Sequence, residues 1–200
     1  MKRQAHRGVT LVELAVTMAL LVLLVMAAVP SISAWIRNTQ IRNVATSIQG
    51  GLQRARAEAM RRNANVRFSL VMLSDSSVMD NSCDVAGAGM SWVVSLDDPT
   101  SKCAAKVDDT TAPRILDKRA NGGGGKWVTV SAKDAAKAEA DTVVFNGFGR
   151  AVDASGIATI DVDNDTPGDD YRALRIVIGT GGTVRMCEPK VSASSDPRKC

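Results

Sequence analysis

The chain has 200 residues, a formal net charge of +4, 45% hydrophobic and 4% aromatic residues, and four cysteines. Beyond a helical anchor of roughly 55 residues, that length accommodates one compact domain. The single histidine, His6, lies at the extreme N terminus; the body of the chain therefore has no imidazole base, which excludes Ser-His and Cys-His nucleophilic chemistry there.

Lys2, Arg3 and Arg7 form a short basic head, followed by Gly8, Val9, Thr10, Leu11, Val12 and Glu13, and then an uncharged apolar run over 14–30. Between 9 and 35 the only charged residue is Glu13. The run satisfies the ~20 apolar residues that a spanning helix needs. A carboxylate inside such a segment costs a few kcal/mol or more unless it has a partner. Two simpler readings compete. A cleaved secretory signal has an apolar region of only ~7–15 residues, too short for this run, although Ala27-Ala28 resembles a cleavage site. A plain anchor oriented by the basic head accounts for the charges but leaves Gly8 and Glu13 unexplained.

Gly8, Glu13, Leu14 and Pro30 together resemble the class III signal of type IV pilins and type II secretion pseudopilins. The resemblance implies cleavage between Gly8 and Val9 by a prepilin peptidase, N-methylation at Val9, and assembly roles for Glu13 and Pro30. Val9 departs from the Phe or Met usual at that position. Cleavage removes Lys2, Arg3 and Arg7, three of the four net positive charges. A cationic amine at Val9 facing the Glu13 carboxylate of a neighbouring subunit would set axial register more than it would add stability. Pro30 lacks an N–H and marks where the helix can bend.

Beyond Pro30, Ile41, Val44, Ala45, Ile48, Leu52, Ala55 and Ala59 recur at helical spacing and form one apolar stripe. A continuous helix over 9–63 would be about 80 Å long. Gly50-Gly51 reads as a weak point in it and Asn63 as its stop. Residues 37–67 carry seven Arg against Glu58, and these arginines read as a solvated face. The run over 54–63, followed by Val66-Arg67-Phe68, is similar to the GspH/FimT branch of the pilin-like proteins.

The segments 66–73, 91–96, 127–131, 142–145, 157–162, 174–178 and 183–187 are β-branched runs bounded by Gly, Asp, Asn and Pro, and they predict strands. Asn146-Gly147 and Gly181-Gly182 are turn signals; 74–90 and 97–126 read as loops. The predicted fold class is α+β, with a long N-terminal helix packed on an antiparallel β-sheet head, type IV pilin-like by resemblance. Its parts are a leader over 1–8, a transmembrane or filament-core helix over 9–35, an amphipathic continuation over 36–64 and a β-rich head over 65–200.

Gly122 to Gly125 before Lys126-Trp127 lack the Lys-Ser/Thr that opens a helix in a phosphate-binding loop, and read as a hairpin tip. Asp161, Asp163 and Asp165 have the spacing of a calcium loop, but Thr166 and Arg172 stand where Gly and Glu are required. An acidic turn is the preferred reading, and no metal or cofactor is expected. Cys83, Cys103, Cys187 and Cys200 all follow the apolar run, which favours disulfides over zinc. Three pairings are open, of which the local ones, Cys83 with Cys103 and Cys187 with Cys200, are preferred. Some FimT-type proteins bind DNA through a G-R-x-R tail. Here Gly182-Thr183-Val184-Arg185 keeps only the second Arg, so Arg185, Lys190, Arg198 and Lys199 are candidate phosphate contacts.

Taken together, these features predict a non-enzymatic minor pilin or pseudopilin, a structural and assembly-initiating subunit of a type IV pilus or a type II secretion pseudopilus. Its expected partners are a prepilin peptidase, other pilins or pseudopilins, and inner-membrane lipid before assembly. Its expected location is the bacterial inner membrane with the head in the periplasm, and then the filament. The alternative is a DNA-binding minor pilin for uptake in transformation.

Overall fold

The computed structural model describes residues 8, 10–120, 125–166 and 168–200, with the side chains of 27–31 left aside. Residues 1–7 of the predicted leader and Gly122 to Gly124 lie outside the described residues. One helix, α1 (Leu11–Arg62), precedes nine strands: β1 (Val66–Met72), β2 (Asp84–Val85), β3 (Ser91–Ser95), β4 (Ile115–Arg119), β5 (Val128–Lys133), β6 (Thr142–Phe145), β7 (Thr159–Asn164), β8 (Leu174–Ile178) and β9 (Val184–Cys187). The chain divides into two compact units, Met1–Ile36 and Arg37–Cys200.

In the second unit the α1 stripe is the base of the core. Ile41, Val44, Ala45, Ile48, Leu52, Ala55 and Ala59 have no solvent exposure. They share one cluster with Phe68 and Leu70 of β1, Trp92 and Val94 of β3, Val130 of β5, Ile160 of β7 and Ile176 of β8. Each large aliphatic side chain so buried contributes about 1.5–3 kcal/mol. The fold is therefore α+β with antiparallel strands, but it holds two sheets rather than one. A five-stranded sheet has the order β2-β1-β3-β4, with β6 also paired to β1. A four-stranded sheet has the order β5-β7-β8-β9.

The two sheets differ in what covers their outer faces. In the four-stranded sheet buried and open positions alternate, the pattern of a sheet with one wet side. In the five-stranded sheet β3 is buried throughout. Behind it Val71, Val93, Ile115, Cys83 and Cys103 form a second small core. The Cys83–Cys103 disulfide holds the loop that supplies this cover, and a second disulfide joins Cys187 to Cys200. The segment 97–126, read as a loop from sequence, contains β4. Leu116 faces the main core and Ile115 the small one, so this short strand is held by packing and not by propensity.

The helix runs unbroken through Gly50-Gly51, and the two glycines stand in different surroundings. A Cβ at Gly51 would meet Phe68 Cε2 and Trp92 Cδ2, each at 2.8 Å, whereas one at Gly50 would meet nothing within 4 Å. Gly51 thus leaves the space that an aromatic pair fills, its ring centroids 6.0 Å apart. Adjacent glycines in one helix should therefore respond in opposite directions. Gly50→Ala is expected to stabilise the protein by up to about 1 kcal/mol through helix propensity. Gly51→Ala is expected to destabilise it by about 1–3 kcal/mol through overpacking; denaturant unfolding of the two variants checks this.

Candidate processing and assembly segment and the two ends of the head

At the N terminus Gly8 is exposed and open, with nothing within 4 Å of a Cβ built on it. Val9 lies outside the described residues. Thr10 precedes the first helical residue and forms a reciprocal pair with Glu13. The Glu13 backbone N–H donates to Thr10 Oγ1 at 3.2 Å, and the Thr10 N–H donates to Glu13 Oε2 at 3.3 Å. This is a capping box, in which each residue satisfies a backbone donor that the helix end would otherwise leave unpaired. Among the described residues, the large apolar side chains of the first unit stand open to solvent, Leu11 at 84% and Leu24 at 71% exposure. The helix continues through Pro30. Among the described residues no helix is long and apolar enough to cross a membrane.

At the far end of α1, Asn63 takes a left-handed conformation (φ 49°) and the Ala64 N–H donates to Ala59 O at 3.2 Å. Asn tolerates this region well, and the bond satisfies a terminal carbonyl. The turn over 146–150 is seated on this end. A Cβ at Gly147 would lie 2.4 Å from Asn63 Oδ1. Arg56 Nε donates to Gly149 O at 3.0 Å. Gly182, in the β8–β9 turn with φ 75°, approaches the same oxygen so closely that an added Cβ would overlap it at 1.8 Å. Asn146 Oδ1 accepts from the N–H groups of Phe148 and Arg150, which fixes the tip. Phe148 is thereby held 82% exposed.

The arginines of this helix end are paired at the surface, Arg54 and Arg61 remaining exposed while Arg62 is half-buried. Arg61 and Arg62 both reach Glu58, at 2.7 and 2.9 Å, and Arg62 continues to Asp109 at 2.9 Å. Arg54 pairs with Asp117 at 3.1 Å. The Arg61 hydrogen bond holds the Glu58 carboxyl below its ordinary pKa, against the opposing effect of burial and with further help from Arg62.

The four tail cations are also engaged. Lys190 Nζ donates to Gly168 O at 2.5 Å and Tyr171 O at 3.1 Å. Arg198 pairs with Asp196 at 2.7 Å and Glu188 at 3.5 Å. Lys199 Nζ donates to Ser192 O, and Arg185 Nη1 to Lys199 O. Arg198 is thus paired with carboxylates, whereas Arg185, Lys190 and Lys199 donate to backbone carbonyl oxygens and keep their charge. Asp161 is held by Arg175 at 2.6 Å, and among the described residues no group of three metal-ligating side chains is assembled.

Two family models match the chain. Residues 3–29 match the prokaryotic N-terminal methylation motif, and residues 44–194 match the type II transport protein GspH. The second match takes in most of the head. The chain belongs to the GspH family.

Two crystal forms of the type IV minor pilin FimU from Pseudomonas aeruginosa are similar in structure to this GspH-family chain. Each is 15% identical, with TM-scores of 0.47 and 0.44; they cover 80% and 76% of this chain and 99% of FimU. No curated protein is similar enough in sequence to count as a match.

Some contacts of this GspH-family chain had a signal in the sequence that was not used, and others had none. Thr10 and Glu13 have the T-x-x-E spacing of a capping box. Gly182 was legible as a turn residue, but its approach to Gly149 and the bond from Arg56 were not, because they depend on three segments meeting. Gly182→Ala is expected to cost about 2 kcal/mol or more, from backbone strain together with displacement of Gly149 O. A Tm shift well beyond that of the neighbouring Gly181→Ala, whose site is open, checks it.

Proposed function

We propose that this chain is a filament subunit, a GspH-type minor pilin or pseudopilin that is structural and takes part in initiating assembly. The carrying observation is the methylation-motif match over residues 3–29, within which Glu13 is the sole carboxylate. On this reading a prepilin peptidase cuts after the open Gly8 and the new amine of Val9 is methylated. The apolar part of α1 waits in the inner membrane with the head in the periplasm, and then packs among the helices of other pilins or pseudopilins. Glu13 supplies the register contact to a neighbour's amine, and Pro30 lets the helix adjust between lipid and filament. The head contributes surface to the fibre; it has no catalytic part in this reading.

The capping box makes Glu13 testable in a specific way. Gln keeps the carbonyl oxygen that caps Thr10, but it loses the charge that would pair with an amine. Glu13→Gln is therefore expected to leave the membrane-extracted subunit folded and cleaved while abolishing its incorporation into filaments. Incorporation is measured by the head's presence in sheared fibres. Cleavage is measured as an intact mass beginning at Val9 with one added methyl. Normal incorporation of Glu13→Gln, or a mass still beginning at Met1, would sink the reading.

A further inference from the structure

At the end of the head where α1 enters it, Arg37 is packed between two aromatic rings. Its Cζ lies 4.2 Å from the centre of the Trp127 ring and 5.4 Å from that of Tyr171. Lys126 Nζ stands 4.6 Å from the centre of the Trp127 ring. The next helical residue, Asn38, donates from Nδ2 to Asp170 O at 2.9 Å and accepts from the Arg172 N–H at 2.8 Å. The first turn of the head's helix, the approach to β5 and the approach to β8 are thereby tied together. They bring two amphipathic rings and the cations Arg37, Lys126, Arg172 and Lys190 to one end, with Asp165, Asp169 and Asp170 exposed among them.

This cluster lies at the edge of the core, with Tyr171 packed against it and Trp127 outside it. Both rings are half-buried, whereas Trp92 is 5% exposed with its indole N–H on Ser47 at 3.0 Å. Trp and Tyr beside Arg and Lys is the composition found where a protein meets the headgroup layer of a bilayer. The ring body enters the acyl boundary while its polar tip and the cations stay at phosphate level. The charge balance narrows the ligand further. A polyanion needs a strongly positive field; four cations against three carboxylates suit a zwitterionic headgroup, whose phosphate and amine both find partners. The position in the chain agrees, because Arg37 follows directly on the segment over 9–36, whose only charge is Glu13.

We propose that this face is an interfacial membrane contact. Before assembly the head rests on the bilayer surface with Trp127 and Tyr171 at headgroup depth, and with phospholipid phosphates on Arg37, Lys126 and Arg172. The proposal rests on the anchored-subunit reading above, and adds that the head itself, and not only the helix, must leave lipid when the subunit enters a filament.

The test uses the full-length protein reconstituted in phosphatidylcholine vesicles containing lipid brominated high on the acyl chain. Trp35→Phe silences the tryptophan nearest the apolar run, leaving Trp92 in the core and Trp127 at the surface. The expected result is bromine-dependent quenching of the Trp35→Phe protein, with most of it lost in the Trp35→Phe/Trp127→Phe double variant. Co-flotation with vesicles but no quenching, or quenching that survives loss of Trp127, overturns the interfacial contact. Protection of Trp127 that depends on protein density and not on bromine makes the occupant a second copy, and also overturns it. Failure to float with vesicles at all overturns the anchored-subunit reading on which it rests.

Discussion

The distance between α1 and the five-stranded sheet is set where Gly51 lies beneath Phe68 and Trp92. A helix normally stands off from a sheet by the length of its side chains; here one side chain is missing, and two aromatic rings occupy the space. The stripe on either side is made of Ala45, Ala55 and Ala59 as well as Ile48 and Leu52. The helix can therefore lie close along its length without tilting away from the rings. Once β1 is held at that spacing, its pairings with β2, β3 and β6 follow from register. The four-stranded sheet then closes over the remaining flank of the stripe. Interiors packed at crystal-like density transmit such a constraint rather than absorbing it.

The same constraint explains why one sheet needs a cover and the other does not. β1 and β3 lie centrally, with apolar residues on both faces, so the loop behind them must be ordered although it has little regular structure. The Cys83–Cys103 disulfide closes it, with Pro99 O 3.5 Å from each sulfur. Lys118 Nζ reaches Cys103 O and Ala105 O at 2.6 and 2.7 Å, and burial lowers its pKa. Short turns built on Asp followed two residues later by Ser or Thr do the rest, at Asp75, Asp80, Asp98 and Asp108. Side-chain hydrogen bonds from Ser77, Ser82, Thr100 and Thr111 depress these carboxyls in turn. Their contribution is present above the unfolded carboxylate pKa and is lost as pH falls through the folded values.

Periodicity made the helix legible. Every stripe residue named from spacing is buried, because a 3.6-residue repeat is a local signal that tertiary context seldom reverses. The strands with β-branched alternation were readable for the same reason. β2 and β4 were not, because two residues, or the mixed run of β4, carry no pattern until a neighbouring strand is in place. The surroundings of Gly51 were not legible for a related reason: helix propensity describes an isolated helix, whereas Phe68 and Trp92 arrive from elsewhere in the chain. The ion pairs of the arginines at 54 and 62 were not legible, because Asp109 and Asp117 are distant in sequence and adjacent only in the fold. By contrast, the Asp-x-Ser/Thr turns and the Thr10–Glu13 box were local and available.

That box bears on how a carboxylate is tolerated in so apolar a segment. An N-terminal capping interaction is worth about 1 kcal/mol in water, while an unpartnered carboxylate near hydrocarbon costs several times more. Thr10 and the exposed helix N-terminus offer Glu13 two hydrogen bonds and a favourable dipole without any second subunit. On the filament-subunit reading this gives the lone subunit a way to carry its register residue before a partner is present. The capping bonds are modest and local, so a neighbour's amine can displace them with an ion pair in a low-dielectric setting. A stronger internal partner, such as a lysine one turn away, would hold Glu13 permanently and remove the driving force for docking. The segment from 9 to 35 contains no such residue, which leaves the carboxylate satisfied but available.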